Sequence, residues 1–173
     1  LIPPVQINDF QKNNSDKNGS KTLKLLKKSM IQHMKHTTGP FVVSLSGGID
    51  SSLSLGLLRD SFPDADIFAL CGVFEGSFDE SLIAKKIAKK FDAKFKILKM
   101  GSIFANMPEI ISISQKPKWN TYTHIVSKEA KKYGNTIVTG DGADEIFGGY
   151  TFRYSKFENL TFNKDNWKQR TLN

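Results

Sequence analysis

The amino-acid sequence predicts an α/β protein with a doubly wound parallel sheet of about four to five strands and helices on both faces. Two observations favour this fold class. Short apolar runs that suit buried strands, at residues 41–43, 66–74 and 136–139, alternate with stretches of helical periodicity. A glycine pair, Gly47 and Gly48, follows the first run and precedes a leucine-rich helical stretch. This alternation is typical of parallel strands joined by right-handed helical crossovers.

Length and composition indicate one globular domain. The chain has 173 residues, of which 39% are hydrophobic and 24% are charged. No apolar run approaches the ~20 residues of a membrane span, and no basic segment followed by an apolar one resembles a signal peptide. We therefore expect a cytoplasmic protein with no membrane partner. The sequence has one cysteine, Cys71, so an internal disulfide is excluded. Cys71 lies in an apolar run, which favours a role in packing.

The net charge of +8 raises the question of nucleic-acid binding. Most lysines, however, recur at helical spacing within residues 24–35 and 85–90, as they do on solvated helix faces. We therefore expect no nucleic-acid partner. The same positive field would favour ATP or another anionic ligand.

The helices and strands can be placed from periodicity and turn residues. Residues 1–20 predict an extended segment followed by a polar linker. The charged alternation of residues 94–100 predicts a strand at the edge of the sheet. In chain order, the predicted elements are a helix at 22–36, a strand from 41, a helix at 51–60, a strand at 66–74, a helix at 79–91, a strand at 94–100, a short helix within 101–120, a helix at 122–132 and a strand at 136–139.

The glycine loop between the first strand and the next helix suits a phosphate group. Gly47 and Gly48 let the backbone approach a ligand closely, and Ser46 and Ser51 add hydroxyl groups. The N–H groups in the first turn of the helix carry the positive end of its dipole, which favours a phosphate or pyrophosphate. Asp50 fits such a site if the anion arrives with a magnesium ion. The lysine of a Walker-type loop and the third glycine of a dinucleotide fingerprint are absent from this pattern.

A second motif follows the last predicted strand. Residues 139–150 contain three acids and four glycines. Carboxylates this close repel one another unless a metal ion or a cationic ligand group lies between them. We assign magnesium to Asp50 and Asp144, one from each loop. Because the carboxyl ends of parallel strands lie along one edge of a sheet, these two loops and the segment at 72–77 should converge on one site.

Both motifs resemble one enzyme family. SLSGGIDSS, residues 44–52, is similar to the SGGxDS pyrophosphate loop of the N-type ATP pyrophosphatases, which cut ATP between its α and β phosphates. GDGADEIFGGY, residues 140–150, resembles a segment of the synthetase domain of glutamine-dependent asparagine synthetases and their β-lactam synthetase relatives. FEGSFDES, residues 74–81, is similar to that family's loop after the adenine-contacting strand. The resemblance covers residues 23–157 and implies an adenine nucleotide alpha hydrolase-like fold.

The resemblance assigns roles to the residues at the matching positions. It implies a catalytic set of Asp50, Asp141 and Asp144, with magnesium held by Asp50 and Asp144. The residues implied to bind ATP or its pyrophosphate are Ser44, Leu45, Ser46, Gly47, Gly48, Asp50, Ser51, Gly72, Thr139 and Gly140.

The activity that the resemblance implies is that of an ATP- and magnesium-dependent amidoligase. The side-chain carboxylate of aspartate would be activated as an adenylate with release of pyrophosphate, and ammonia would then displace AMP. Asp141 stands where the family usually has Glu, an acid associated with the amine-acceptor chemistry. The family's domain is longer and supplies a lysine beyond the tyrosine that corresponds to Tyr150. None of the lysines after Tyr150 in this sequence can be matched to it. The 173 residues contain no glutaminase domain, so we expect ammonia from solution or from a separate glutaminase.

The sequence therefore predicts three parts: the segment 1–20, an asparagine synthetase-like ATP pyrophosphatase domain at 21–157, and a tail at 158–173 that is short relative to the family. Two alternatives stay open. One is another pyrophosphatase chemistry, such as tRNA modification, in which the basic surface would hold RNA. The other is a non-catalytic nucleotide-binding subunit that needs a partner chain. The acceptor carboxylate, the source of ammonia and self-association also stay open.

Overall fold

The chain divides into two compact units, Leu1–Thr139 and Gly140–Asn173. The computed structural model describes residues 16, 18–37, 39–74, 76, 78–102, 104–116, 122–147 and 149. The first unit contains α1 (Ser20–Met34), β1 (Phe41–Ser44), α2 (Ile49–Ser61), β2 (Ile67–Val73), α3 (Ser81–Lys90), β3 (Lys94–Lys99), a short 3₁₀ helix (Phe104–Asn106), α4 (Met107–Ser114), α5 (Tyr122–Ala130) and β4 (Thr136–Val138). The second unit contains α6 (Ala143–Phe147).

The strands of the first unit form one parallel sheet in the order β3-β2-β1-β4. In its interior, Val42 of β1 stands opposite Phe68 of β2 on one side and Ile137 of β4 on the other. The chain adds β2 and β3 on one side of β1 and β4 on the other, so the strand order reverses between β1 and β4. β3 lies at an edge, as its charged alternation predicts.

Helices cover both faces of the sheet, because alternate residues of a strand point to opposite sides. On one face, Phe41 and Val43 of β1 belong to a core that includes residues of α1, α2 and α3. On the other face, Val42 of β1 and Leu70 of β2 pack in a second cluster with Ala130 of α5. The predicted doubly wound parallel α/β fold with helices on both faces is confirmed.

Two helices begin two residues earlier than periodicity predicts. α1 begins at Ser20 rather than Thr22, since the Asp16 carboxylate accepts hydrogen bonds from the backbone N–H groups of Lys21 and Thr22. α2 begins at Ile49 rather than Ser51, directly after the extended Gly48. The remaining elements of the first unit start and end within about two residues of their predicted bounds, which is the usual uncertainty of helix and strand ends.

Several predictions fall outside the described residues. They concern residues 1–15 and 17 of the predicted linker, residues 75 and 77 in the loop after β2, residues 117–121, and residues 148 and 150–173. The division into 1–20, 21–157 and 158–173 therefore stays a prediction. Within the described part of the chain, no helix has both the length and the apolar character needed to cross a membrane.

Candidate functional site

The carboxyl ends of β1 and β4 lie next to each other at one edge of the sheet. β1 and β4 are neighbours, with Val43 opposite Val138, so Ser44 and Thr139 follow at the same level of the sheet. The Ser54 hydroxyl group of α2 donates to the Asp50 carbonyl oxygen at 2.9 Å and lies 3.4 Å from the Thr139 carbonyl oxygen. Open α/β sheets bind their ligands at the place where the strand order reverses. Ser44 and Thr139, both predicted site residues, therefore border that place.

Two serine hydroxyl groups hold the glycine loop together. The Ser51 hydroxyl accepts a hydrogen bond from the Ser46 backbone N–H at 3.1 Å and lies 2.9 Å from the Ser46 hydroxyl. The carbonyl oxygens of Ser46 and Gly48 lie 3.4 and 3.3 Å from it, within reach of its single proton. Ser51 is 8% exposed, so these contacts satisfy a nearly buried hydroxyl group. The Ser51 hydroxyl group therefore stabilises the conformation of the glycine loop.

Gly48 is the N-cap of α2 and brings no capping side chain. Its backbone is extended, its N–H donates to the Ser46 hydroxyl at 3.1 Å, and its carbonyl oxygen accepts from the Ser52 hydroxyl at 2.6 Å. The first N–H groups of an α-helix have no intrahelical acceptor. Residues 49–51 therefore offer backbone donors at the positive end of the dipole of a 13-residue helix.

Asp50 lies in this first turn of α2. Its negative charge is favourable at a helix N-terminus, and its oxygens suit a hard cation such as Mg²⁺. Among the residues that the structure describes, no three His, Cys, Asp or Glu side chains are grouped so that they could hold a metal ion. Mg²⁺ is commonly held by one or two carboxylates together with substrate phosphates and does not need a site built from protein ligands alone. One carboxylate, that of Asp50, next to a candidate phosphate site is therefore compatible with Mg²⁺.

A carboxylate from the loop after β2 contacts the glycine loop. The Gly47 N–H donates to Oε2 of Glu80 at 2.9 Å. Glu80 is the N-cap of α3, and the neighbouring Asp79 carboxylate accepts from the Ser81 N–H at 2.8 Å. Hydrogen bonds from the Ser81 side chain and backbone hold the pKa of Asp79 below its ordinary value. The loops after β1 and β2 are therefore in contact, as the shared edge of the strands predicts.

Leu45 and Gly72 differ in what they can offer a nucleotide. Leu45 is 2% exposed, and its N–H donates to the Leu70 carbonyl oxygen at 2.8 Å, which continues the β1–β2 pairing past Ser44. Its side chain is part of the core, and its contact with a nucleotide stays a prediction. Gly72 is exposed in β2, and a Cβ at this position would lie 3.2 Å from the Met100 sulfur. Glycine therefore avoids crowding Met100 at this end of the strand.

The acidic motif belongs to the second unit. Gly142 has a φ of 90°, a conformation that favours glycine, in the turn that leads from Gly140 into α6. Asp141 is exposed in this turn, and Asp144 lies in the first turn of α6. The shared magnesium site of Asp50 and Asp144 stays a prediction, as do the catalytic roles of Asp50, Asp141 and Asp144.

The sequence pattern does not reveal two of the contacts described above. Residues 79–81 predict a helix start and nothing more, whereas the structure joins Glu80 to Gly47. The available signal was an acid in a loop expected to converge with the glycine loop. The contact of Ser54 with the Thr139 carbonyl depends on the rotation of α2 about its axis, and sequence spacing gives no signal for it.

A comparison with protein families identifies the chain's relatives. Residues 21–172 match the family model described as asparagine synthase. The chain belongs to the asparagine synthase family. The match includes both the glycine loop and the acidic motif, and it confirms the resemblance to the synthetase domain of asparagine synthetases.

The chain resembles curated asparagine synthetases over a minor part of their length. It is 31% identical over 127 residues to glutamine-hydrolyzing asparagine synthetase 1 of Bacillus subtilis, a match that covers 70% of this chain and 20% of that protein. It is 29% identical over 158 residues to a putative glutamine-hydrolyzing asparagine synthetase of Mycobacterium bovis, covering 87% of this chain and 24% of that protein. The chain thus spans less than a quarter of the length of these relatives.

Two solved structures share the fold. The NH3-dependent NAD synthetase from Campylobacter jejuni has a TM-score of 0.51 and 19% identity, covering 75% of this chain and 59% of that one. The glutamine-dependent NAD+ synthetase from Acinetobacter baumannii, solved with ADP, has a TM-score of 0.52 and 18% identity, covering 74% of this chain and 26% of that one. At these identities the similarity establishes the fold alone.

Proposed function

We propose that this chain is the ATP-using domain of an amidoligase of asparagine synthetase type. Membership of the asparagine synthase family supports this chemistry. In the proposed reaction, the side-chain carboxylate of aspartate attacks the α-phosphorus of ATP, which gives a β-aspartyl adenylate and releases pyrophosphate. Ammonia then attacks the activated carbonyl carbon, an amide bond forms, and AMP leaves.

The observation that carries the proposal is the uncapped N-terminus of α2 behind a serine-bonded glycine loop. The backbone N–H groups of residues 49–51 are suited to oxygens of the pyrophosphate leaving group, on which negative charge develops as the bond to the α-phosphorus breaks. The contact of 2.9 Å between the hydroxyl groups of Ser46 and Ser51 orients the loop before the ligand arrives. Donors that are already oriented need no reorganisation in the transition state.

Magnesium would be held by Asp50, with Asp144 as its predicted partner. When bound, the ion would supply positive charge that offsets the negative charge of the leaving group. Without the ion, the carboxylate of Asp50 would repel a phosphate bound at the same helix turn. We therefore expect ATP binding to depend on magnesium.

Asp141 is the candidate for the amine-acceptor chemistry. The family usually has Glu at this position, and the Asp side chain is one methylene shorter. A misplacement of about 1 Å can lower a rate on the order of a hundredfold. Comparing Asp141→Glu with the unaltered chain would therefore show which length suits the acceptor.

The ammonia would come from solution or from a separate glutaminase. Although the names of the two relatives include glutamine hydrolysis, the match covers at most 24% of either protein. The proposal takes aspartate as the acceptor and the cytoplasm as the location. It applies to the chain alone and to the chain with a partner.

The test is the release of AMP and pyrophosphate from ATP with magnesium and ammonium, across a panel of carboxylates that begins with aspartate. Aspartate-dependent AMP formation with appearance of asparagine is the expected result, and Asp50→Ala serves as the inactive control. ATP binding without AMP formation from any acid would contradict the proposed ligase and favour a non-catalytic nucleotide-binding subunit.

A further inference from the structure

The peptide between Ser46 and Gly47 is held at both ends by side chains. Its N–H donates to Oε2 of Glu80 at 2.9 Å, and its carbonyl oxygen lies 3.4 Å from the Ser51 hydroxyl. Glu80 is 33 residues away in sequence, whereas Ser51 belongs to the same loop. The Glu80 contact is thus a long-range tie on the loop that precedes α2.

Such a tie is useful because the loop contains adjacent glycines. Glycine has access to backbone conformations that other residues avoid, so the peptides around Gly47 and Gly48 can rotate at low cost when nothing holds them. Gly48 is the N-cap, and the direction of its backbone decides where the first N–H groups of α2 point. Fixing the preceding peptide therefore helps to fix the donors of residues 49–51.

The backbone of Glu80 is held by the first turn of α3. Its carbonyl oxygen accepts from the Ala84 N–H at 3.0 Å, and Ala84 is fully buried in the core. A Cβ on Gly47 would lie 3.3 Å from the Cβ atoms of Glu80 and Ile83. The first turn of α3 therefore packs directly against Gly47, and its geometry is transmitted to the loop at short range.

We infer that Glu80 is a positioning residue for the pyrophosphate loop, acting through the backbone N–H of Gly47. This inference rests on the proposed function, since it assigns a role within the same site. Glu80 is not a ligand of the phosphate groups, because two negatively charged groups at short range repel each other. Its acceptor oxygen orders the loop, while its charge opposes the bound anion.

These two effects can be separated by substitution. Glu80→Gln keeps an acceptor oxygen and removes the charge, whereas Glu80→Ala removes both. Loss of a charge-assisted hydrogen bond typically changes an equilibrium by about tenfold. We expect Glu80→Ala to weaken the binding of Mg·pyrophosphate and Mg·ATP about tenfold, and Glu80→Gln to bind within about threefold of the unaltered chain.

Asp79→Asn is the matched control. It removes the same charge one residue earlier, at a carboxylate that accepts from Ser81 rather than from the glycine loop. Because Asn keeps an acceptor oxygen for the Ser81 N–H and loses only a charge that is favourable at a helix N-terminus, we expect a slightly lower melting temperature, with affinity unchanged within about twofold. Equal losses of affinity in Asp79→Asn and Glu80→Ala would mean that charge or the fold of α3, rather than the bond to Gly47, controls binding.

The experiment measures dissociation constants for Mg·pyrophosphate and Mg·ATP by calorimetry, and the Gly47 amide resonance by NMR, on the full 173-residue chain and its three variants. The inference predicts weaker binding and a shifted, faster-exchanging Gly47 amide in Glu80→Ala, with both restored by Glu80→Gln. An unaltered chain that binds neither ligand overturns the proposed function. Binding by the unaltered chain that is matched by Glu80→Ala, or a Gly47 amide unchanged by that substitution, overturns the inference alone.

Discussion

The two ends of α2 are built in opposite ways. At the N-terminus, Gly48 brings no capping side chain, and the nearby hydroxyl groups bond within the glycine loop. At the C-terminus, Arg59 donates to four backbone carbonyl oxygens, those of Phe91, Pro63, Ala65 and Asp92, at 2.9, 2.6, 2.9 and 2.7 Å. One end thus presents backbone donors, and the other uses a side chain to satisfy backbone acceptors.

We expect this difference to separate ligand binding from stability within one helix. A cavity of about 450 Å³ lies at the Arg59 end, between the starts of β2 and β3, and by size alone it would suit a ligand. Four of the five guanidinium N–H donors of Arg59 are, however, already engaged with carbonyl oxygens there. We therefore assign the anion to the uncapped end, where the donors of residues 49–51 have no capping side chain.

The largest effect is expected for Asp50→Asn, at the N-terminal end. AMP formation should fall by about a hundredfold or more, because the carboxylate proposed to support magnesium at the leaving group is lost. Asp60→Asn is the control at the other end of the same helix, where the carboxylate pairs with Lys27 at 2.6 Å on the surface. Steady-state rates at saturating magnesium check both variants. A similar loss of AMP formation in both variants would contradict the assignment of the magnesium and the phosphate to the N-terminal end of α2.

Arg59→Ala should affect stability rather than ligand binding. The substitution leaves four carbonyl oxygens without this donor, and we expect the free energy of unfolding to fall by about 3 kcal/mol. Arg59→Lys, which keeps the charge and fewer donors, should lose about half as much. Urea denaturation measures the stability, and calorimetry should find Mg·ATP affinity within about twofold. If the Arg59→Ala variant stayed stable but lost affinity for Mg·ATP, the result would indicate that the anion binds in the cavity and not at the N-terminus of α2.

Ser51→Ala should produce a smaller effect on both properties. It removes the hydroxyl group that accepts from the Ser46 N–H at 3.1 Å, so we expect about 1 kcal/mol less stability and an affinity for Mg·ATP lowered about fivefold. Ser52→Ala is the control, since its hydroxyl group donates to the Gly48 carbonyl oxygen from a more exposed position. Urea denaturation and calorimetry measure the two changes. Equal behaviour of the two serine variants would argue that the Ser46–Ser51 contact does not order the loop.

The smallest effect is expected away from both ends of α2, at Glu109 and Lys128. The hydrogen bond from Lys128, at 2.8 Å, holds the pKa of Glu109 below its ordinary value of 4.5. Because the folded pKa is lowered, the stabilisation is present above the ordinary value and is lost as pH falls through the folded pKa. Lys128→Gln should therefore lower the melting temperature by about 2 °C at pH 7 and by a smaller amount at an acidic pH well below 4.5, where Glu109 takes up its proton. An equal shift at both pH values would contradict this assignment, and Mg·ATP affinity should not change.

Much of the fold follows from local sequence signals. The alternation of Lys94 and Lys96 with Phe95 predicts an edge strand, and β3 is one. The glycine pair after β1 predicts a strand-to-helix turn, and α2 begins directly after Gly48. These features depend on residues close in sequence, so spacing and composition are enough to find them.

The parts that sequence does not predict depend on packing between distant segments. The bond between Gly47 and Glu80 spans 33 residues and requires the first turn of α3 to lie against the loop. The four bonds of Arg59 likewise require β3 to start beside the end of α2, and nothing in the local pattern around Arg59 indicates them. The shared magnesium site of Asp50 and Asp144 stays a prediction.

We propose that the N-terminal end of α2 binds the pyrophosphate group. NMR titration of the chain with Mg·pyrophosphate tests it most directly, because the backbone amides report each end of the helix separately. We predict that the largest shifts occur at residues 46–51, that they saturate, and that Mg·ATP competes for the same site. Shifts centred on Arg59 and the starts of β2 and β3, with none in the glycine loop, would contradict the claim.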